Sequence, residues 1–151
     1  MKRSLPDLVE LVSNQSRTVA YELVDPFAHL MTVMRETCGG DLERALVMVV
    51  IILQSSRHPD FRKLETVAPE GHGALPGFGT NVRSIADSTG IPKETVRRKT
   101  RQLLEAGWVA REGNTLRYSL EGYRAVAPAR DALIRMYAQG YQVFQRLAAE
   151  D

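Results

Sequence analysis

Residues 81–120 read NVRSIADSTGIPKETVRRKTRQLLEAGWVAREGNTLRYSL, and the fold of the surrounding chain depends on this stretch. Near its start, Val82 and Ile85 lie on one face of a helix, as apolar residues three positions apart do. Gly90 follows at the point where a residue in the left-handed conformation commonly ends a helix. We therefore predict a short helix over residues 82–88.

A second helix is predicted over residues 92–106, with Ile91 filling the turn before it. Pro92 suits the first helical position, because the N–H that proline lacks has no helical partner there, and Gly107 closes the helix. At about 100° per residue, the inner face contains Val96, Thr100 and Leu103, with Leu104 at its margin. The outer face contains Glu94, Arg98, Arg101 and Gln102, flanked by Thr95 and Arg97.

A β-hairpin is predicted after the second helix. Trp108 begins a strand, Gly113-Asn114 suits a two-residue turn, and residues 116–120 form the returning strand. A short strand over 78–81 is expected to pair with this hairpin. The predicted order is helix, turn, helix and hairpin.

The second helix carries much of the positive charge of the chain. Residues 81–120 contain eight Lys/Arg and four Asp/Glu, net +4, and the other residues contain 12 and 14, net −2. A helix in the major groove of DNA needs cations near phosphates and side chains that form forked hydrogen bonds with base edges. The candidates for phosphate contacts are Lys93, Arg97, Arg98, Lys99 and Arg101. Arg98 and Glu94 are the candidates for base contacts.

The segment 91–98, IPKETVRR, resembles the start of the recognition helix in the catabolite-activator (Crp) family, which follows the pattern hydrophobic-Ser-Arg-Glu-Thr-Val-x-Arg. The wider pattern, with SIA at 84–86, TGI at 89–91 and LLEAGW at 103–108, is similar to winged-helix regulators of the IclR, GntR and MarR kinds. The resemblance covers about 40 of the 151 residues. It implies a winged helix-turn-helix that binds DNA.

The resemblance also implies roles for individual residues. Lys93, Glu94 and Arg98 match base-reading positions, Thr95 matches a position that faces phosphate, and Arg111 or Arg117 matches the wing. Two features depart from the pattern. Lys replaces the usual Arg at position 93, which weakens a forked contact to guanine. Lys99 and Thr100 replace a small-apolar and aliphatic pair, so the inner face of the helix is unusually polar.

We therefore expect a sequence-specific double-stranded DNA-binding transcription regulator. The alternative is a winged-helix module that binds other proteins and does not contact DNA, since the fold serves both purposes and a charged helix face is often only solvated.

The composition is typical of one soluble globular domain or a small module with helical extensions, because 44% of the residues are hydrophobic and 25% are charged. A single cysteine excludes an internal disulfide, and the first ten residues lack the apolar run of a signal peptide. The longest apolar run, residues 45–53, has nine residues, fewer than the ~20 that span a bilayer. We expect a cytoplasmic protein without membrane association.

We divide the chain into four segments. Residues 1–57 form an N-terminal helical region, 58–80 a loop, 81–120 the winged helix-turn-helix and 121–151 a C-terminal helix. Ser4 is predicted to cap the first helix, and a weak interruption follows at residues 14–16. A new helix is predicted to begin at Asp25-Pro26 and to end at Gly39-Gly40. A short helical piece is expected over 61–67.

Two further helices bear on assembly. Asp41 is predicted to cap a helix over 42–57 that is apolar on all sides and must be covered, so we place it at the centre of the fold with a contribution from a subunit interface. The final helix, from Pro128 to about Ala149, has a seam of residues spaced by four and three: Leu133, Tyr137, Gly140, Phe144 and Leu147. We expect this seam to pair two chains into a homodimer on an inverted-repeat operator. The alternative is that the seam packs on the N-terminal helices of its own chain.

Other chemistries have little support in the sequence. His29, His58 and His72 are far apart and lack the spacing of metal ligands. Cys38 ends a helix, where the dipole opposes thiolate formation, so we expect a small buried side chain. The glycines of residues 71–79 match no phosphate-binding motif. We expect no enzymatic activity, no cofactor and no metal, and no small-molecule effector is identified.

Overall fold

The computed structural model describes residues 4–66 and 73–150. This part of the chain is mainly helical with one small sheet. Its helices are α1 (Leu5–Asn14), α2 (Ser16–Thr37), α3 (Leu42–Ser56), a 3-10 helix (Pro59–Thr66), α4 (Val82–Thr89), α5 (Lys93–Glu105), α6 (Leu120–Ala125) and α7 (Ala127–Glu150). Strands β1 (Val109–Glu112) and β2 (Thr115–Tyr118) pair antiparallel. The predicted mostly helical fold with a hairpin is confirmed.

Helix α1 begins at its predicted cap, but the helix that follows is not divided as expected. Ser4 caps α1, and its hydroxyl oxygen accepts a hydrogen bond from the Asp7 N–H. The prediction of a new helix at Asp25-Pro26 is wrong, because α2 continues through Pro26. A proline inside a helix removes one backbone hydrogen bond. Val19, Pro26 and Leu30 are nevertheless buried on α2, and their packing favours an unbroken helix.

Helix α3 is covered on one face within the chain. Asp41 caps it as predicted, and its side chain accepts a hydrogen bond from the Arg44 N–H at 2.9 Å. Three of its side chains, Val47, Met48 and Ile51, are buried in the main hydrophobic core. Four other apolar side chains of α3, Leu42, Leu46, Val49 and Leu53, remain 40% to 50% exposed. The expected cover on every side is therefore not provided by the described residues.

The hairpin closes through the predicted two-residue turn, with Glu112 opposite Thr115. Gly113 adopts a φ of +60°, which glycine favours at the first central position of such a turn. Residues 73–80 lie along the other edge of β2, and the N–H groups of Thr80 and Leu116 each donate to the other's carbonyl, at 3.0 and 2.7 Å. The predicted pairing of 78–81 with the hairpin is thus found at Thr80. Residues 67–72 of the predicted loop lie outside the described residues.

The returning strand is shorter than predicted. It ends at Tyr118, and Ser119 caps α6, with its hydroxyl oxygen accepting from the Gly122 N–H at 2.9 Å. The prediction extended this strand to Leu120. Leu120 is instead the first residue of α6 and is buried in the main core.

The chain divides into two compact units that differ from the four predicted segments. One unit contains Met34–Ala127, and the main core lies within it. The other contains Met1–Val33 and Pro128–Asp151, and its buried cluster is centred on Val19, Val143 and Leu147. Leu147 of the predicted seam therefore packs inside its own chain. For Leu147, the structure agrees with the alternative prediction, in which the seam packs on the N-terminal helices of its own chain.

Candidate nucleic-acid interface

Helices α4 and α5 are joined by the predicted tight turn. Asn81 caps α4 by accepting a hydrogen bond from the Ser84 N–H at 2.9 Å. Gly90 ends it in the left-handed conformation with a φ of +72°, where a side chain would be strained. Ile91 is buried in the turn and joins the main core with Ile85 and Val96. These contacts hold α5 against α4.

The inner face of α5 is the predicted one. Val96, Thr100 and Leu103 are buried, and the Thr100 hydroxyl donates to the Val96 carbonyl at 2.7 Å. Burial of these side chains directs the opposite side of the helix to solvent. The exposed charged residues near the N-terminal half of α5 are Lys93, Glu94, Arg97, Arg98 and Arg101. Thr95 is half-buried.

Two of the exposed residues interact with each other. Arg97 donates to the Glu94 carboxylate one helical turn away, and both side chains remain largely exposed. A pair of this kind is worth only about 0.3–0.5 kcal/mol, so a phosphate or a base edge competes with it readily. The pair therefore leaves the polar groups of both side chains exposed, as contact with DNA would require.

Lys99 does not lie on the exposed face of α5, which corrects the prediction that it contacts phosphate. Its side chain is 11% exposed, and its ammonium pairs with the Asp41 carboxylate at the start of α3. The Glu43 carboxylate is 3.8 Å from the same nitrogen. The physical reason is its position on the helix: Lys99 is on the same side as Val96 and Leu103, which are buried. Four of the five predicted cations of α5 remain on the exposed face.

The Asp41 carboxyl responds to this environment. Burial raises its pKa, but the hydrogen bonds from Lys99 and from the Arg44 backbone outweigh burial, and the net pKa is below its usual value. The carboxylate is therefore charged at neutral pH, as an ion pair with Lys99 requires. Asp41 was predicted only as a helix cap. The signal for its second role was the unusual lysine at position 99.

The two hairpin arginines differ in their surroundings. Arg111 on β1 is exposed. Arg117 on β2 has a side chain that is 34% exposed, with its Nε 3.0 Å from the Glu112 carboxylate and its guanidinium donating to the Gly77 carbonyl at 3.0 Å. Arg117 thus links the hairpin to residues 73–80. Of the two, Arg111 is the more available for a ligand.

The structure also describes the surroundings of the Cys38 thiol, of the possible metal ligands and of the apolar helices. Cys38 is buried as expected, and burial raises the pKa of its thiol despite the nearby Arg44. Within residues 4–66 and 73–150, no three His, Cys, Asp or Glu side chains form a group suited to a metal ion. Among the helices described, none combines the length and the apolar character needed to cross a membrane.

Comparisons of the chain with protein-family models, with curated proteins and with solved structures found no match.

Proposed function

We propose that the chain is a sequence-specific double-stranded DNA-binding transcription regulator, that residues 81–120 form a winged helix-turn-helix, and that α5 is the helix that enters the major groove. The observation that carries the proposal is the two-sided character of α5. Its inner side is packed in the core, and its exposed side presents Lys93, Arg97, Arg98 and Arg101 together with Glu94.

This arrangement suits a duplex for physical reasons. Helix N-terminal residues contact base edges when such a helix lies in the groove, and flanking cations neutralise phosphates. Glu94 and Arg98 are one helical turn apart and form the base-reading pair of the proposal. Lys93, Arg97, Arg101 and the half-buried Thr95 face the phosphates, and Arg111 on the hairpin contacts the adjacent backbone. Arg117 supports the hairpin from within.

The proposed active species is a homodimer. The unit formed by the N- and C-terminal helices has few buried apolar side chains, yet it exposes many, including Leu133, Ile134, Tyr137 and Tyr141 on α7. Exposed apolar patches of this kind mark protein interfaces. A second copy of α7 covers them in the proposal, and the two-fold symmetry of the dimer gives an inverted-repeat operator.

Random-site selection on the purified protein tests binding, specificity and symmetry together. We expect enrichment of an inverted repeat, followed by a gel shift of that duplex at protein concentrations below a micromolar that weakens steeply with salt. Recovery of unenriched sequences and no shift at low salt would contradict the proposal.

A protein-interaction module is the second candidate, and the exposed apolar stripe of α3 favours it. Leu42, Leu46, Val49 and Leu53 are spaced four, three and four residues apart, as in a helix that pairs with another. The gel shift of the unmodified protein distinguishes the two candidates, because an interaction module shows none. In a DNA-binding protein the shift also survives substitution of Leu46 and Leu53 with Glu.

A further inference from the structure

The side chain of Lys99 joins two helices of the same compact unit. Its ammonium contacts one carboxylate oxygen of Asp41, and the other oxygen of that carboxylate accepts from the Arg44 N–H at the start of α3 at 2.9 Å. One carboxylate therefore caps α3 and binds α5. Because the residues are 58 positions apart, the contact is a tertiary one.

We propose that the Asp41–Lys99 ion pair fixes the rotation of α5 about its own axis, so that Lys99 and Asp41 are positioning residues for sequence reading although neither contacts DNA. This inference rests on the proposed function, since it concerns the orientation of the base-reading side chains.

The apolar contacts of α5 do not define its rotation as sharply as an ion pair does. Val96 and Leu103 pack through dispersion contacts, which hold α5 against the core but have no preferred direction. A charged hydrogen bond with little exposure is directional and is weakened when its partners separate. The pair lies at one edge of the buried face of α5, where a roll displaces it directly.

Small rotations matter at the opposite surface. At about 100° per residue, Arg97 and Arg101 lie about 160° from Lys99, and Arg98 lies about 100° from it. The side-chain surface of a helix is about 5–6 Å from its axis, so a roll of about 20° moves these groups by about 2 Å. Forked hydrogen bonds to a base do not tolerate that displacement, but contacts of flexible cations with phosphates do.

The test compares three variants of the 151-residue chain with the unmodified chain. Asp41→Asn retains a good helix cap but loses the charge, and Lys99→Met retains a long side chain but loses the cation. The double variant carries both changes. Arg101→Met is the matched control, because it removes a cation from the exposed face of the same helix. Affinities for the selected duplex and for a random duplex are measured over a series of salt concentrations at a temperature where each variant is folded.

We expect Asp41→Asn and Lys99→Met each to lower the ratio of selected to random affinity by about tenfold, the loss of about one good base contact. Random-duplex binding and the salt slope should stay unchanged. The ratio of selected to random affinity should fall no further in the double variant than in either single variant, since the two residues act as a unit. Arg101→Met should instead weaken both duplexes and reduce the salt slope by about one.

Three results would overturn the inference. One is a salt slope reduced by about one in Lys99→Met, which would make Lys99 a phosphate contact. Another is an unchanged affinity for both duplexes in either single variant, and the third is an equal loss of affinity on both duplexes. If the unmodified protein binds no duplex, the proposed function fails and the positioning role fails with it. If it binds with specificity and the variants keep the ratio, only the positioning role fails.

Discussion

Arg98 and Lys99 are neighbours with the same charge, but they face different surroundings. The backbone of a helix directs adjacent side chains about 100° apart, so one extends into solvent and the other reaches a carboxylate on α3. The number of cations in α5 therefore overstates the number available to DNA. Each cation has to be judged by the group that it already contacts.

Arg98→Ala should lower affinity for the selected duplex by about 1–3 kcal/mol and relax preference at one base pair of each half-site, because a forked contact to a base edge is lost. Repeating the site selection with the variant measures both effects. An equal loss on selected and random duplexes would identify Arg98 as a phosphate contact only.

The hairpin arginines should behave differently from each other. Arg111→Ala should weaken binding to all duplexes and reduce the salt slope by about one, because an exposed phosphate contact is removed. Arg117→Ala should chiefly lower stability, because its side chain already contacts Glu112 and Gly77. Gel shifts at several salt concentrations, with urea unfolding of both variants, separate the two roles. Identical salt slopes in the unmodified protein and in Arg111→Ala would show that the hairpin does not contact DNA.

Asp41 should give a pH dependence of stability. Its folded-state pKa lies below the unfolded value of about 3.9, so the unfolded chain binds the proton more readily. The stabilisation is then complete above about pH 5 and is lost as the pH falls through 4 and below. Asp41→Asn should be less stable than the unmodified protein at pH 7, and the difference should shrink by pH 3 in urea unfolding. A difference that stays constant between pH 7 and 3 would contradict the ion pair.

At the scale of elements, the glycines of α6 and α7 illustrate how packing changes a local preference. Alanine is favoured over glycine in a helix by about 1 kcal/mol. A Cβ at Gly122 in α6, however, would lie 2.3 Å from the Trp108 carbonyl oxygen. At Gly140 in α7, no heavy atom of the described residues lies within 4 Å of that position, apart from its chain neighbours and the adjoining helix backbone.

Gly122→Ala should therefore destabilise the protein by about 1–3 kcal/mol, as overpacking does. Gly140→Ala is the matched control and should stabilise the chain by up to about 1 kcal/mol at concentrations where it is monomeric. Thermal unfolding of the two variants measures the contrast. A gain in stability from Gly122→Ala would mean that α6 does not pack under Trp108.

For the proposed dimer, the exposure of individual side chains on α7 allows a sharper test than the seam predicted from the sequence. Tyr137 on α7 is 68% exposed, whereas Leu147 is buried in its own chain. Tyr137→Glu should therefore convert dimer to monomer without unfolding the chain, and it should weaken operator binding far more than binding to one half-site. Light scattering and gel shifts measure these changes.

Leu147→Glu serves as the contrasting variant, because a charge placed in its buried site should unfold the terminal helices. The symmetric dimer also predicts half-site centres about 10 base pairs apart, or a multiple of that spacing. An unmodified protein that is monomeric at tens of micromolar, together with selected sites that lack inverted symmetry, would rule the dimer out.

Local sequence signals predict the elements between Asn81 and Tyr118. A cap at Asn81, a left-handed glycine at Gly90 and a two-residue turn at Gly113 act through backbone groups only a few residues away, so their effects can be read locally. The same local logic identified the buried face of α5. It also placed Lys99 on that face, but it did not identify the Asp41 carboxylate as the partner of Lys99.

Contacts between distant parts of the chain determine the remaining features. The partner of Lys99 lies 58 residues away, the Arg117 guanidinium reaches the Gly77 carbonyl 40 residues away, and burial carries α2 through Pro26 against its local preference. In each case the deciding contact joins residues that are distant in the sequence, or depends on burial by another element. Helical periodicity and capping contain no information about such contacts, because they describe a chain only over a few neighbouring residues.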